Sequence, residues 1–202
     1  IDRFDPEREQ LPLESRPEID RWLLSRLNSV VQKANQAMDN YDLTRTARMI
    51  SDFVIDEVSN WYVRRNRRRF WKEGDDKDKL SAYQTLSETL VTLAKLVAPF
   101  APFIAEEINL GLSMGQRESI HLEDYPKPDV TEIDSELEAK MEALIKIVEL
   151  GRAARNKAKI KVRQPLLEML VVVSEEIDKK SLTGLEYLIS EEINVKAVNF
   201  LD

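Results

Sequence analysis

The stretch DLTRTARMISDFVIDEVSNWYVRRNRRRFWK, residues 42–72, decides the class of fold and carries the most distinctive chemistry of the chain. Apolar residues recur along its first two thirds at steps of three and four, the spacing of one face of an α-helix. They are Leu43, Ala47, Ile50, Val54, Val58 and Trp61. Asp42 is the predicted N-cap, and nothing that breaks a helix follows until Gly74. We therefore expect one long amphipathic helix ending near Trp71.

The end of this helix is strongly basic. Residues 61–72 contain five Arg and one Lys with no acidic residue, a local charge of +6. On a helical wheel at about 100° per residue, Arg65, Arg68 and Lys72 lie in the same sector as the apolar stripe. Burying several unpaired cations costs several kcal/mol for each of them. We therefore expect the helix to extend beyond the core and to present a basic ridge.

A second basic stretch makes the charge of the chain uneven. Residues 151–163 contain three Arg and three Lys with no acid, again +6, so the net charge of −7 leaves −19 on the other 177 residues. Arg suits phosphate oxygens, which favours RNA or another polyanion as a partner. Two other interpretations remain open, namely a protein or interdomain interface and solvated salt bridges to the acidic remainder.

The rest of the sequence predicts a mainly α-helical bundle with a small C-terminal β-α-β appendage. A capping box of Ser15 and Glu18 is expected to begin a helix over 16–39. Asp75 or Asp76 is the predicted N-cap of a further helix, which ends at Pro99. Other helices are predicted over 102–112, from about 134 and over 178–192, with strands at 166–173 and 195–200. The predicted domains are a lead-in at 1–14, a helical domain at 15–156 and the start of an α/β extension at 157–202.

Composition excludes several kinds of active site. The chain has no Cys and one His, His121, which excludes disulfides, thiolate metal sites and two-His metal motifs. The glycines are isolated and form no phosphate-binding loop. We expect no catalytic residues, no metal site and no membrane span. The first residue is Ile1 rather than Met, which suggests a piece of a longer protein.

Six segments resemble, in sequence order, the anticodon-binding domain and part of the C-terminal region of the isoleucyl-tRNA synthetase family, which are class I synthetases. They are PEIDRWLLSRLN (17–28), YDLTRTARMISDFV (41–54), SNWYVRRNRRRFW (59–71), LVAPFAPFIAEEI (96–108), SIHLEDYP (119–126) and ARNKAKIKVRQPL (154–166). The third resembles the signature helix of the family, and the last is most similar to the eukaryotic/archaeal-type branch. Tyr125 stands where Trp or Phe is common. The resemblance covers nearly the whole chain.

The resemblance implies a cytoplasmic module that binds and positions isoleucine tRNA for protein biosynthesis. Full family enzymes attach isoleucine using ATP and Mg²⁺ and rely on HIGH and KMSKS motifs, neither of which occurs here. The chain alone is thus expected to catalyse nothing and to need no cofactor. Its expected partners are isoleucine tRNA and the catalytic domain of the same polypeptide, with no DNA or membrane. The alternative is a scaffold whose Arg-rich helix docks on that catalytic domain.

Charge and helix geometry assign the candidate contacts. The predicted RNA-binding residues are Arg64, Arg65, Arg67, Arg68, Arg69 and Lys72 in the first stretch, and Arg152, Arg155, Lys157, Lys159, Lys161 and Arg163 in the second. Trp71 and Phe70 are candidates for stacking on unpaired bases. Phosphate contacts of this kind position a tRNA without reading its anticodon.

Overall fold

The computed structural model describes residues 11–74, 76–113, 118–172, 182 and 184–201. Within them, seven α-helices and one two-stranded parallel sheet confirm the predicted helical fold with a small β-α-β appendage. The chain divides into two compact units, of which the first ends at Asp134 and the second begins at Ser135. This division precedes the fourth long helix, and the assignment of 15–156 to one domain stays a prediction.

Helices form the first unit. Their bounds are α1 Glu18–Asp39, α2 Leu43–Asp52, α3 Arg67–Trp71, α4 Lys77–Val97 and α5 Pro102–Leu112, with 3₁₀ turns at Leu13–Ser15, Ile120–Leu122 and Val130–Glu132. Helix α1 packs against α2 and α4. Its side chains Trp22 and Leu23 are almost fully buried, together with Phe53, Tyr62 and Leu96 from elsewhere in the unit. The apolar stripe of α1 therefore lies at the centre of this core.

Two of the three predicted helix caps are present. The Asp42 carboxylate accepts a hydrogen bond from the Arg45 amide at 3.1 Å, and the Asp76 carboxylate accepts one from the Lys79 amide at 2.8 Å. The predicted capping box at the start of α1 is wrong. Pro17 occupies the N-cap without a side-chain hydrogen bond, and the Ser15 hydroxyl donates instead to the Pro12 carbonyl at 2.7 Å.

The long helix after Asp42 is interrupted rather than uniform. Helix α2 continues as a π-helical segment over Phe53–Val63, and a turn at Asn66 separates this segment from α3. Hydrogen bonds from i to i+5 give a π-helix a wider turn than an α-helix, so a wheel at 100° per residue loses register along it. The wheel therefore does not establish which side chains share one face beyond Phe53. In the structure the Arg65 guanidinium lies over the Trp61 ring of the apolar stripe, whereas Arg68 and Lys72 are exposed. The residues that turn inward at the basic end are Arg69 and Phe70.

The second unit is a helix packed with a parallel β-α-β element. It contains α6 Ser135–Lys157, β1 Leu166–Val172, α7 Glu186–Ile193 and β2 Val195–Leu201. The two strands pair in parallel from Leu166 opposite Val195 to Val172 opposite Leu201. Helix α7 begins later than the predicted helix at 178–192, of which residues 178–181 and 183 lie outside the described residues.

Gly151 allows close packing inside the second unit. A Cβ atom at this position would lie 3.0 Å from both the Cδ1 atom of Ile193 and the Cε atom of Met169. We expect Gly151→Val to lower the free energy of unfolding by roughly 1–3 kcal/mol, because the added methyl groups overpack this contact. Thermal unfolding measures the change. Gly111→Val is the control, since nothing lies within 4 Å of a Cβ there; equal losses in both variants would contradict a packing role.

Candidate nucleic-acid interface

Helix α3 presents three neighbouring side chains to solvent. Arg67 and Arg68 are exposed, and Trp71 is 85% exposed, unusual for so large an apolar side chain. Neither of these two arginines forms an ion pair with any residue that the structure describes. Arg64, one turn earlier, is also exposed, and its Nε donates to the Asn60 carbonyl at 2.8 Å. The basic end of this helix thus combines guanidinium groups with an exposed indole ring.

Arg69 points the other way, although sequence places it among the RNA-binding residues. Its Nη1 and Nη2 atoms donate to the two carboxylate oxygens of Asp20 on α1, each at 2.7 Å. Nη2 also donates to the Asp78 carbonyl at 2.9 Å and lies 2.9 Å from the Asp78 carboxylate. Burial by itself lowers the pKa of Arg69, but the hydrogen bonds and the charge of Asp20 raise it above its ordinary range. This guanidinium is held inside the first unit.

Asp20 is the centre of a buried polar network. Its side chain is 0% exposed. Besides Arg69, it accepts hydrogen bonds from the Tyr62 hydroxyl at 2.7 Å and from the Ser81 hydroxyl at 2.5 Å. The network therefore links α1, the π-helical segment, α3 and α4, and it satisfies a charge that would be costly to bury alone.

Phe70 belongs to the core, which corrects its assignment as a base-stacking candidate. The residue is only 8% exposed. Its ring packs edge-on against Tyr62 and Tyr83, with centroid distances of 6.4 and 5.4 Å. The Tyr83 hydroxyl also donates to the Phe70 carbonyl at 3.2 Å. A nucleobase cannot reach a ring enclosed in this way, so of the two candidates Trp71 alone is exposed for stacking.

Two further cations of the first stretch have local partners. The Arg65 guanidinium lies over the Trp61 ring, 5.4 Å from its centroid, and the residue is half-buried. Lys72 is exposed and forms an ion pair with Asp76. The hydrogen bond that Lys72 donates to the Asp76 carboxylate, followed by the charge of that carboxylate, raises the pKa of Lys72. Among the described residues, Arg67 and Arg68 are therefore the exposed arginines at this end for which no such partner is found.

The second basic stretch is divided in a similar way. Four of its cations, Lys157, Lys159, Lys161 and Arg163, are exposed in and after the last turn of α6. Arg155 is instead 4% exposed, and it donates to the carbonyls of Lys161 and Asn194 at 3.0 Å each. Arg152 is partly exposed and paired with Glu192. Arg155 thus connects the loop before β1 to the residue before β2 through hydrogen bonds. Its guanidinium is not available to RNA, which corrects its assignment as an RNA contact.

The sequence interpretation missed Asp20 and its network. The signal was present, because Asp20 stands three and seven residues before Leu23 and Leu27, in the apolar stripe of α1. A carboxylate at such a position requires a buried partner. The sequence does not identify which of the five arginines in residues 61–72 is the partner of Asp20. The choice depends on which side chain faces inward after the π-helical segment.

Tyr62 gives the first unit a measurable pH dependence. Burial raises the pKa of the Tyr62 hydroxyl well above its usual value of 10.0, and the charge and hydrogen bond of Asp20 raise it further. The unfolded chain loses this proton near pH 10 while the folded chain keeps it. The contribution of the protonated Tyr62 hydroxyl to the free energy of unfolding is therefore complete below pH 10. Above pH 10 the free energy of unfolding declines by up to about 1.4 kcal/mol per pH unit.

We expect Tyr62→Phe to flatten this decline in stability above pH 10. Urea unfolding at a series of alkaline pH values measures the slope, which should be shallower in the variant than in the unaltered chain. Tyr41 is 88% exposed, so Tyr41→Phe is the matched control and should keep the original slope. Identical slopes in all three proteins would show that the buried hydroxyl does not carry the effect.

Other kinds of site receive no support from the described residues. Among them, no group of three or more His, Cys, Asp or Glu side chains is placed to hold a metal ion. Over the same part of the chain, no helix combines the length and the apolar character needed to cross a membrane.

Comparison with known proteins agrees with this basic, helical surface. Residues 20–171 match the family model described as the anticodon-binding domain of tRNA ligase. The isoleucine–tRNA ligase of Dehalococcoides mccartyi strain CBDB1 is 50% identical over 98% of this chain and 20% of its own length. Those of Thermus thermophilus and Pyrococcus furiosus are 46% and 42% identical, over 95% and 98% of this chain and 19% of their own lengths.

The chain spans about a fifth of the length of these curated relatives. The family match covers most of the sequence and includes nearly all of α1, the π-helical segment, α3 and α6. The chain therefore belongs to the anticodon-binding domain family of tRNA ligases.

Proposed function

We propose that the chain is the tRNA-binding module of an isoleucine–tRNA ligase and that α3 binds the phosphate backbone of the tRNA. The proposal rests on one observation above all. Arg67 and Arg68 are exposed without an ion pair among the described residues, although the rest of the chain is rich in acids. Guanidinium groups bind phosphate oxygens through paired donors, and each phosphate contact releases condensed counterions.

Trp71 gives this surface a second kind of contact. Its exposed ring lies on the same short helix as the two arginines. Aromatic side chains stack on any unpaired base, and such a stack contributes about 1–3 kcal/mol without reading the base sequence. We infer that the surface binds a segment of tRNA with at least one unstacked base, and that anticodon bases are read elsewhere.

The proposed surface differs from the set of residues chosen by sequence alone. On the first unit it contains the exposed residues Arg64, Arg67, Arg68, Trp71 and Lys72, with Arg65 at its edge. The second unit is proposed to carry a separate phosphate-binding surface of its own, made of Lys157, Lys159, Lys161 and Arg163 with the partly exposed Arg152. Arg69, Phe70 and Arg155 are excluded because internal contacts hold them.

Features of the whole ligase are also part of the proposal. The relatives are named isoleucine–tRNA ligases, so we infer that the longer polypeptide attaches isoleucine to its tRNA in the cytoplasm using ATP and Mg²⁺. This chain lacks the HIGH and KMSKS motifs, and we infer that it positions tRNA for a catalytic domain elsewhere in that polypeptide. Assignment to the eukaryotic/archaeal-type branch stays a prediction, because the relatives with the highest identities quoted above are bacterial.

Binding of isoleucine tRNA by the 202-residue chain across a salt series tests the proposal. We expect a plot of log affinity against log salt with a slope of about −3 or steeper, which corresponds to roughly four neutralised phosphates at about −0.7 each. Valine tRNA in parallel tests whether the chain itself discriminates between anticodons. No binding at low salt, or a flat salt response, would contradict a phosphate-binding function.

The alternative of a docking helix makes a different prediction. If Arg67 and Arg68 pair with acids of the catalytic domain, reversing their charge should loosen the domains of the full ligase, which limited proteolysis would detect. Binding of tRNA by the 202-residue chain would then be unaffected. The proposed function predicts the opposite pair of results.

A further inference from the structure

Helix α3 depends on contacts with other elements for its helical conformation. The helix has five residues, far fewer than the roughly 12–15 that an isolated helix needs in water. Three of them are consecutive arginines, whose like charges repel one another. Two inward contacts hold it, one through the ring of Phe70 and the other through the guanidinium of Arg69.

The contact through Arg69 determines orientation as well as stability. A planar guanidinium that donates to both oxygens of one carboxylate is fixed in direction, unlike a single point charge. The Asn66 side-chain oxygen accepts from the same guanidinium at 3.1 Å and lies at the turn just before α3. Rotation of α3 about its axis would break these bonds together. With Arg69 facing inward, Arg67, Arg68 and Trp71 are left exposed.

We propose that Asp20 is a positioning residue for tRNA binding, which acts through Arg69 to keep Arg67, Arg68 and Trp71 facing outward together. The proposal rests on the proposed function of α3 as the phosphate-binding surface. Asp20 itself is fully buried, so its carboxylate is not accessible to RNA. The hydroxyls of Tyr62 and Ser81 donate hydrogen bonds to the Asp20 carboxylate and fix its position. The carboxylate therefore holds the guanidinium group of Arg69 in one orientation.

The sign of the effect of Asp20→Asn on tRNA affinity separates this role from simple electrostatics. The substitution removes one negative charge and changes the net charge from −7 to −6. Electrostatics alone predicts equal or tighter binding of a polyanion. A positioning role predicts weaker binding, by about tenfold, the equivalent of one lost charge-assisted hydrogen bond. The slope of the salt dependence should also become shallower.

Glu88→Gln is the matched control. It makes the same change in net charge and also removes the carboxylate partner of a buried arginine, because Glu88 pairs with Arg16 at 2.8 Å. That pair does not involve α3. At a temperature where each variant is folded by circular dichroism, we expect Glu88→Gln to bind tRNA within about twofold of the unaltered chain.

A second variant covers the case in which Asp20→Asn does not fold. Arg69→Lys keeps both charges but loses the two-pronged geometry of the guanidinium. It should fold and still bind tRNA more weakly, with faster hydrogen exchange at the backbone amides of residues 69–71. If Arg69 contacted phosphate directly, lysine would preserve most of the affinity and the exchange rates.

The possible outcomes are distinct. Weaker binding by Asp20→Asn or Arg69→Lys, with a shallower salt slope and faster exchange in α3, supports the positioning role. Affinity equal to that of the unaltered chain in a folded variant overturns it, even if the variant has lost stability. Failure of the unaltered chain to bind tRNA at low salt would instead overturn the proposed function, whatever the exchange rates show.

Discussion

Replacing both Arg67 and Arg68 by Glu should weaken the binding of isoleucine tRNA by about a hundredfold. Each arginine is exposed and forms no ion pair among the described residues, so each has its full set of donors for phosphate oxygens. A charge-assisted hydrogen bond contributes about 1.5 kcal/mol or more, and two of them give roughly this factor. The introduced carboxylates also repel the tRNA backbone.

The salt dependence should change with the affinity. Each lost phosphate contact removes about 0.7 from the slope of log affinity against log salt, so the double variant should lose about 1.4. Fluorescence anisotropy with labelled tRNA at several salt concentrations measures both quantities. Stability should change little, because exposed side chains away from the core usually contribute less than about 0.5 kcal/mol.

Replacing both Arg45 and Arg48 by Glu provides a control with equal charge. Each of the four replacements removes two charge units, so either double variant has a net charge of −11 instead of −7. Arg45 and Arg48 are exposed on α2, which ends before the π-helical segment that separates it from α3. Equal weakening by both pairs would mean that net charge, rather than a localised surface on α3, determines affinity.

The helices could be predicted because their signals are local. A stripe of apolar residues and an Asp at the N-cap need only about ten residues of sequence, as α2 and α4 show with their caps at Asp42 and Asp76. The π-helical segment could not be predicted in this way. Its residues follow the same apolar spacing as an ordinary helix, so nothing in the local pattern distinguishes the two; Phe53 and Tyr62 of this segment are buried in the structure.

The basic surface was predictable as a region but not as a set of residues. Charge counting located both basic stretches, and the structure exposes most of the cations in them. Arg65 and Arg152 are partly buried. Arg69 and Arg155 go further, because each fills a place on a buried face where internal oxygens accept its donors. Whether an arginine faces phosphate or a buried acceptor depends on contacts far apart in sequence, which a local pattern does not contain.

The largest effect on stability should come from Arg69→Met. Removing the guanidinium leaves the fully buried carboxylate of Asp20 without its cationic partner, and such a loss costs about 3–5 kcal/mol. That is a large fraction of the 5–15 kcal/mol typical of a folded domain. Urea unfolding of the chain should show the midpoint of the first unit moving to much lower urea.

Arg68→Met is the neighbouring control, with the same chemical change on the exposed face of the same helix. It should alter the free energy of unfolding by less than about 0.5 kcal/mol. A comparable loss in both variants would mean that the positive charge of α3, rather than the pairing of Arg69 with Asp20, stabilises the first unit.

A double-mutant cycle decides how the pair stabilises the fold. If the cost of Arg69→Met comes from the unpaired charge of Asp20, then adding Asp20→Asn removes that charge and should recover part of the loss. The double variant should be more stable than the sum of the two single changes predicts, by roughly 1–3 kcal/mol. Strict additivity would show that Asp20 and Arg69 stabilise the unit independently. Asp20 on α1 could then not determine the orientation of α3 through Arg69, and the positioning role of Asp20 would be contradicted.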